Sequence, residues 1–176
     1  MKKVIVKTKL ADREGFEDKL DRSDLDFSAI YWQHDRIYVP RNYKPNANLP
    51  RLIMRTEMRA VDTPPKYSLI LRRHITDSGL DLSEETKVTD YVEMVNIILQ
   101  LGFKQQTEVS RRRQELTTEE GTTIYLDEID GLDGYYAKIE ANLKDGGSVE
   151  KLRTDLEKTF ASLNETEFVN LPYAEL

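Results

Sequence analysis

Apolar and polar residues alternate along several stretches of the chain with the period of a β-strand. Residues 3 to 10 place Lys3, Ile5, Lys7 and Lys9 on one face and Val4, Val6, Thr8 and Leu10 on the other. Because successive side chains of a strand point to opposite faces, this stretch predicts an opening strand. Runs rich in aromatic and β-branched residues predict six further strands, over 27–39, 51–61, 67–75, 103–116, 122–129 and 135–143.

Three segments have helical rather than strand periodicity. Asp12 can cap a short helix from Arg13 to about Leu20. Thr89 or Asp90 can cap a second helix, which Gly102 ends. Its apolar positions, expected on one side, are Val92, Val95, Ile98 and Leu99. Ser148 can cap a third helix over 149–163, with Leu152, Leu156, Phe160 and Leu163 on one stripe.

The connections between these elements carry turn residues. Residues 62–65 join two strands through a polar, proline-bearing link that predicts an antiparallel hairpin. Residues 41–50 contain prolines and asparagines and predict a surface loop long enough to act as a flap. No internal repeat occurs at a fixed period, so we expect one domain over residues 1–176.

Composition narrows the functional classes. The 176 residues include no cysteine and only two histidines, which excludes a disulfide framework and makes zinc chemistry improbable. No stretch approaches the roughly 18 apolar residues of a membrane-spanning helix. The alternating N-terminus also lacks the continuous apolar region of a signal peptide. The expected protein is soluble and cytoplasmic, with no membrane partner.

Net charge bears on nucleic-acid binding. The formal charge is -6, whereas binding to duplex nucleic acid depends on neutralising phosphates with positive charge. We therefore expect no duplex nucleic acid as a partner. The positions of the basic residues are more informative than their sum.

Basic residues recur on the polar face of strand after strand. Lys3 and Lys7 share one face, and the later strands add Arg51, Arg55, Arg59, Arg72, Arg111 and Arg113. Asp127 and Glu140 add acids to this set. If the strands close into a barrel, these side chains point inward, where a polyphosphate would neutralise the guanidinium groups. The alternative is that the faces are solvated outer surfaces, on which lysine and arginine discourage edge pairing.

The segment from Gly102 to Glu140 resembles the second half of the CYTH, or triphosphate tunnel, family. Four motifs occur in the same order along the chain as in that family. A Gly-Phe-Lys sequence follows the second helix, and a Lys/Arg-x-Arg strand is matched at Arg111 and Arg113. Residues 126–129 then have the sequence Leu-Asp-Glu-Ile, and an acidic strand ends at Glu140. Residues 33–38, 55–57 and 172–176 are also similar. This family includes class IV adenylyl cyclases and triphosphatases such as thiamine triphosphatase. It implies an α+β fold with an antiparallel eight-stranded barrel and helices packed outside.

The chain departs from that family at its acidic positions. The family's N-terminal Glu-x-Glu-x-Lys, whose acids help to hold divalent metal, falls on Lys3, Ile5 and Lys7. The later Glu-x-Glu falls on Lys138 and Glu140. Only part of the metal-binding pattern remains, so a Mg²⁺ or Mn²⁺ site would be weakened.

The resemblance assigns phosphate binding to Lys7, Arg55, Arg72, Arg111 and Arg113, and metal binding to Asp127 and Glu140. It assigns no catalytic residue. The preferred interpretation is a module that binds a triphosphate or nucleotide with reduced or lost catalysis. One alternative is an active cyclase or triphosphatase that uses Asp127 and Glu140 with one metal, or that uses other carboxylates such as Glu57. Another is a structural subunit without a ligand. Oligomeric state is left open.

Overall fold

The strands and helices follow one another in an order close to the predicted one. The computed structural model describes residues 2–21, 27–44, 49–75, 80–119, 121–169 and 173. The elements are β1 (Lys2–Lys9), α1 (Arg13–Asp21), β2 (Tyr31–Pro40), β3 (Arg51–Met58), β4 (Lys66–Ile75), β5 (Leu80–Val88), α2 (Tyr91–Gln100), β6 (Phe103–Thr117), β7 (Thr123–Ile129), β8 (Tyr135–Asn142) and α3 (Val149–Ser162). Among the described residues, no helix is long and apolar enough to cross a membrane.

The strands form a closed antiparallel barrel in the order β1-β5-β4-β3-β2-β6-β7-β8. The predicted hairpin joins β3 to β4, with Arg55 opposite Ser68. The ring closes between β1 and β5, which pair over three positions from Lys2↔Leu82 to Val4↔Leu80. The fold class expected from the sequence, an antiparallel eight-stranded barrel with helices outside, is confirmed.

Strand β5 is the element that the sequence did not predict. Its residues Ser83 to Lys87 are polar on both faces, so the apolar alternation that marks a strand is missing. This part of β5 pairs with β4, whereas the pairing with β1 is confined to Leu80, Asp81 and Leu82. Residues 84–87 are exposed on both faces of the strand, so neither face has to be apolar, which explains the weak signal. Two predicted bounds were also too wide, because β2 begins at Tyr31 and β3 ends at Met58.

The predicted helix caps are present. Asp12 Oδ1 accepts a hydrogen bond from the Gly15 amide at 3.1 Å. Asp90, rather than Thr89, caps α2 by accepting from the Glu93 amide at 3.0 Å. Ser148 Oγ accepts from the Lys151 amide at 3.2 Å and caps α3. Each cap satisfies a backbone donor that has no partner within its helix.

The main apolar core lies between the barrel and helices α1 and α3, outside the ring of strands. Phe16 of α1 and Phe160 of α3 are buried there, with ring centroids 6.3 Å apart. The outward residues of β1, β7 and β8 complete this core, and they include Val4, Val6, Ile124, Leu126, Ala137 and Ile139. Since alternate residues of a strand point in opposite directions, the polar neighbours of these residues point into the barrel.

Helix α2 covers the opposite side of the barrel, where Ile98 packs with Tyr38 and Met54. The predicted apolar stripe was partly wrong, because Val92 and Leu99 are 66% and 44% exposed. The buried or partly buried face is instead formed by Tyr91, Met94, Val95 and Ile98, at the i, i+3, i+4 and i+7 positions of a helix.

A smaller apolar cluster lies inside the barrel. Its buried members are Ile37, Ile53, Ile70, Val109, Ile129 and Tyr136, with Leu132 and Tyr173 packed against them. These positions alternate with outward residues on six strands and therefore face one another across the lumen. The lumen is accordingly divided into a polar region and an apolar region.

Candidate anion site inside the barrel

Basic side chains converge on the polar region of the lumen. The inward positions of the strands include Lys3, Lys7, Arg51, Arg55, Arg72, Arg111, Arg113 and Lys138. Arg111 and Arg113 are only 6% and 3% exposed. The alternative that these faces are solvated outer surfaces is therefore wrong for the two arginines. Arg112, between them, points outward and pairs with Glu128 at the surface.

Arg113 and Asp127 form a buried ion pair between β6 and β7. Arg113 Nε and Nη2 donate to the two carboxylate oxygens of Asp127, each at 2.6 Å. Arg113 Nη1 also donates to Gln33 Oε1 at 3.1 Å. Burial disfavours the charged form of Asp127, but Arg113 outweighs this effect and lowers the pKa of the carboxyl. Asp127, a predicted metal ligand, is thus engaged by an arginine.

Asp35 of β2 holds two further arginines. Arg55 Nε and Nη2 donate to its carboxylate oxygens at 2.7 and 2.9 Å, and Arg111 Nη2 contacts the same group. Although burial opposes ionisation, Arg55 and Arg111 together lower the pKa of Asp35. Burial also lowers the pKa of Arg111, yet a guanidinium group remains protonated in proteins. The buried Arg111 Nε has no hydrogen-bond acceptor among the described residues, so this donor is available to a ligand oxygen.

Glu140, the other predicted metal ligand, lies between two lysines. Its carboxylate accepts from Lys3 Nζ at 2.7 Å, from Lys138 Nζ at 2.8 Å and from the Tyr125 hydroxyl at 3.0 Å. Burial opposes its ionisation, but the two ammonium groups lower the pKa of Glu140. Burial lowers the pKa of Lys138 to about 7, and the nearby charge of Arg113 acts in the same direction.

Lys7 and Arg72, the remaining predicted phosphate ligands, also point inward. Lys7 of β1 lies opposite Lys138 of β8, and its Nζ is 5.1 Å from the centroid of the Tyr173 ring. Arg72 of β4 lies opposite Arg51 of β3, and its charge helps to lower the pKa of Asp35. All five predicted phosphate ligands therefore face the same lumen.

A cavity of about 610 Å³ opens beside β2, β3, β4 and β5. Arg55 and Arg113 contribute to its walls, together with Lys66 and Lys87. Tyr31 and Tyr125 supply aromatic surface, and Glu115 is one of its acids. Such a mixture can accommodate phosphate groups next to arginines and an organic group next to tyrosines.

Metal binding finds limited support in this arrangement. Among the described residues, no group of three histidine, aspartate or glutamate side chains is placed to hold a metal ion. Asp127 and Glu140 each accept hydrogen bonds from cationic side chains. A metal ion at either carboxylate would therefore lie next to the positive charge of Arg113 or of a lysine, which opposes its binding.

Sequence reasoning did not identify the role of Asp35. It shares the inward face of β2 with Tyr31 and Gln33, a period-two signal that was available. What the sequence lacks is the register of β2 against β3 and β6, which brings Asp35 opposite Arg55 and diagonal to Arg111. Tyr173, from the C-terminal segment, was likewise not expected beside Lys7 and Arg111.

Solved structures with the same architecture are known. A protein from Pyrococcus horikoshii superposes with a TM-score of 0.81 at 22% identity, covering 97% of this chain and 95% of that one. A candidate adenylate cyclase from Vibrio parahaemolyticus superposes with a TM-score of 0.80 at 15% identity, covering 98% of this chain and 95% of that one. A candidate adenylyl cyclase from Hippeastrum superposes with a TM-score of 0.62 at 14% identity, covering 99% of this chain and 93% of that one. That protein is described as having a dominant triphosphatase activity. The fold is that of a CYTH-like triphosphate tunnel. No protein-family model and no curated protein matches the sequence.

Proposed function

We propose that this tunnel-fold protein binds a triphosphate or a nucleotide in its basic lumen, with metal-dependent catalysis reduced or lost. The observation that carries the proposal is the position of Glu140 between Lys3 and Lys138, at 2.7 and 2.8 Å. Mg²⁺ and Mn²⁺ need carboxylate oxygens as ligands, and both oxygens of this carboxylate already accept hydrogen bonds from lysines. The lysines bring positive charge to the lumen where a metal would otherwise supply it.

Anion binding is supported by the charge balance of the lumen. Asp35, Asp127 and Glu140 neutralise part of the inward positive charge, but the inward basic residues outnumber them. Arginine presents planar sets of donors that match phosphate oxygens, and Arg111 retains a buried donor without an acceptor among the described residues. A chain of phosphates would supply both the missing negative charge and the missing acceptor.

The alternative is an active adenylyl cyclase or triphosphatase that uses Asp127 and Glu140 with one metal ion. Two proteins of the same fold favour this alternative, since the one from Vibrio parahaemolyticus is described as a candidate adenylate cyclase and the one from Hippeastrum as a triphosphatase. The two hydrogen bonds between Arg113 and Asp127 weigh against this alternative. Asp127 would have to leave Arg113 to serve a metal ion, and separating a buried ion pair is strongly unfavourable.

Calorimetric titration with ATP and with inorganic triphosphate, with and without Mg²⁺ or Mn²⁺, separates these functions. The same samples are assayed for cyclic nucleotide and for released phosphate. Binding without metal and without product supports the proposal. Metal-dependent turnover would overturn it in favour of the enzyme, and an absence of binding would leave only a structural role.

Neighbouring arginines of β6 provide a matched pair of variants. Arg113→Lys keeps the charge but loses the planar set of donors, so triphosphate affinity should fall by about tenfold. Arg112→Lys makes the same chemical change one residue away on the outer face, where Arg112 pairs with Glu128. Affinity should be unchanged in that control. Equal effects of the two substitutions would place the anion outside the barrel.

A further inference from the structure

The segment that follows α3 returns to the barrel along β1. The Thr8 hydroxyl donates to the carbonyl of Glu167 at 2.7 Å, and Thr8 forms a bridge with Phe168. The Val169 amide donates to the carbonyl of Lys7 at 2.7 Å. Phe168 packs on Phe160, with ring centroids 6.1 Å apart. The chain is therefore attached to β1 just before Tyr173.

Tyr173 lies where the polar and apolar regions of the lumen meet. Its ring centroid is 5.1 Å from Lys7 Nζ and 5.8 Å from the guanidinium carbon of Arg111. It meets the ring of Tyr136 edge to face at 5.6 Å. Burial and the nearby charge of Asp127 raise the pKa of the Tyr173 hydroxyl, so the side chain is a neutral phenol.

We infer that Tyr173 forms the end wall of the anion site and limits the number of phosphate units that the lumen accepts. This inference rests on the proposed function, since it concerns the same site. The ring occupies space beside Lys7 and Arg111, two of the expected phosphate ligands. Ile129 and the ring of Tyr136 pack in the apolar cluster behind this wall, which offers a phosphate no positive charge on that side. Added phosphate units therefore cannot extend past Tyr173.

The wall predicts how affinity depends on chain length. Inorganic diphosphate, triphosphate and tetraphosphate are titrated by calorimetry against the full-length protein. Affinity should rise from diphosphate to triphosphate and then level off, because a fourth unit gains no buried contact. Tyr173→Ala should make tetraphosphate bind about tenfold more tightly than triphosphate, since the freed space beside Lys7 and Arg111 accommodates a fourth unit.

Two more variants separate the wall from simple packing. Tyr173→Phe keeps the ring, so its affinity should still level off after triphosphate, as in the native protein. Tyr173→Val shortens the side chain less drastically than alanine and serves if the alanine variant does not fold. Native protein that already prefers tetraphosphate by tenfold would overturn the inference. So would folded Tyr173→Ala or Tyr173→Val protein with unchanged preference. Native protein that binds none of the three chains would instead refute the proposed function.

Discussion

Arg113 and Asp127 face each other across β6 and β7 and are joined by two hydrogen bonds of 2.6 Å. Both side chains are buried, at 3% and 0% exposure, so neither charge has water to stabilise it if the other is lost. The pair thus links the charge of the anion site to the stability of the fold.

Asp127→Asn is expected to destabilise the protein by about 3 kcal/mol, because it leaves the buried charge of Arg113 without its counter-charge. Urea unfolding of the variant and the native protein measures the difference. Glu128→Gln is the control, since Glu128 lies next to Asp127 but contacts the exposed Arg112. That control should unfold at the native midpoint. Similar midpoints for Asp127→Asn and native protein would contradict the expectation.

Acid should destabilise the protein through Asp35, Asp127 and Glu140, whose pKa values are all lowered. The unfolded chain binds more protons than the folded protein in acid, so the free energy of unfolding falls as pH falls. This stabilisation is complete only above the ordinary pKa values, 3.8 for the two aspartates and 4.5 for Glu140, and it is lost progressively below them. Unfolding at a series of pH values measures the slope. Asp35→Asn should reduce that slope; an unchanged slope would exclude Asp35 as a contributor.

Anion binding should be accompanied by proton uptake near neutral pH. Lys138 is only partly protonated there, because burial lowers its pKa to about 7. A bound phosphate adds negative charge and raises that pKa, so the complex takes up a proton from the buffer. Triphosphate titrations at pH 7 to 8 in two buffers with different ionisation enthalpies measure the uptake. Lys138→Met should abolish most of it, whereas persistence of the full uptake would assign it to another group.

Freeing Glu140 should create affinity for metal. The double variant Lys3→Glu and Lys138→Glu replaces both ammonium groups with carboxylates beside Glu140, and oxygen ligands of this kind suit Mn²⁺. Thermal unfolding with Mn²⁺ should shift upward in this variant and stay constant in the native protein. Lys9→Glu, on an exposed residue of the same strand, is the control and should show no shift. A shift in the native protein would show that the lysines do not prevent metal binding.

Strand periodicity in the sequence was sufficient to place Lys7, Arg111 and Arg113 on shared faces. The alternation of β1 is strict because its outward residues Val4 and Val6 must enter the core under α1 and α3. On β6 only Leu116 enters that core, and the arginine pattern itself gave the signal. The resemblance to the tunnel family supplied the closed barrel and its eight strands. Strand β5 was not predicted, because its polar residues carry no such constraint.

The internal ion pairs could not be predicted from one sequence. Asp127 and Glu140 point inward as expected, but a two-residue period does not reveal which residue of a neighbouring strand lies opposite. Register brings Asp127 to Arg113, and it brings Asp35 to Arg55. Whether Asp127 and Glu140 bind metal or whether the five basic residues bind phosphate stays a prediction.

The carboxylate of Asp35, which Arg55 and Arg111 share, reduces the repulsion between positive charges inside the barrel. A lumen containing only guanidinium groups would repel itself when vacant, and such a chain would depend on its ligand to fold. Asp35 and Asp127 act as internal counter-ions that reduce this repulsion without any ligand. Under the proposed function, the protein would therefore be expected to release its anion and bind another without refolding.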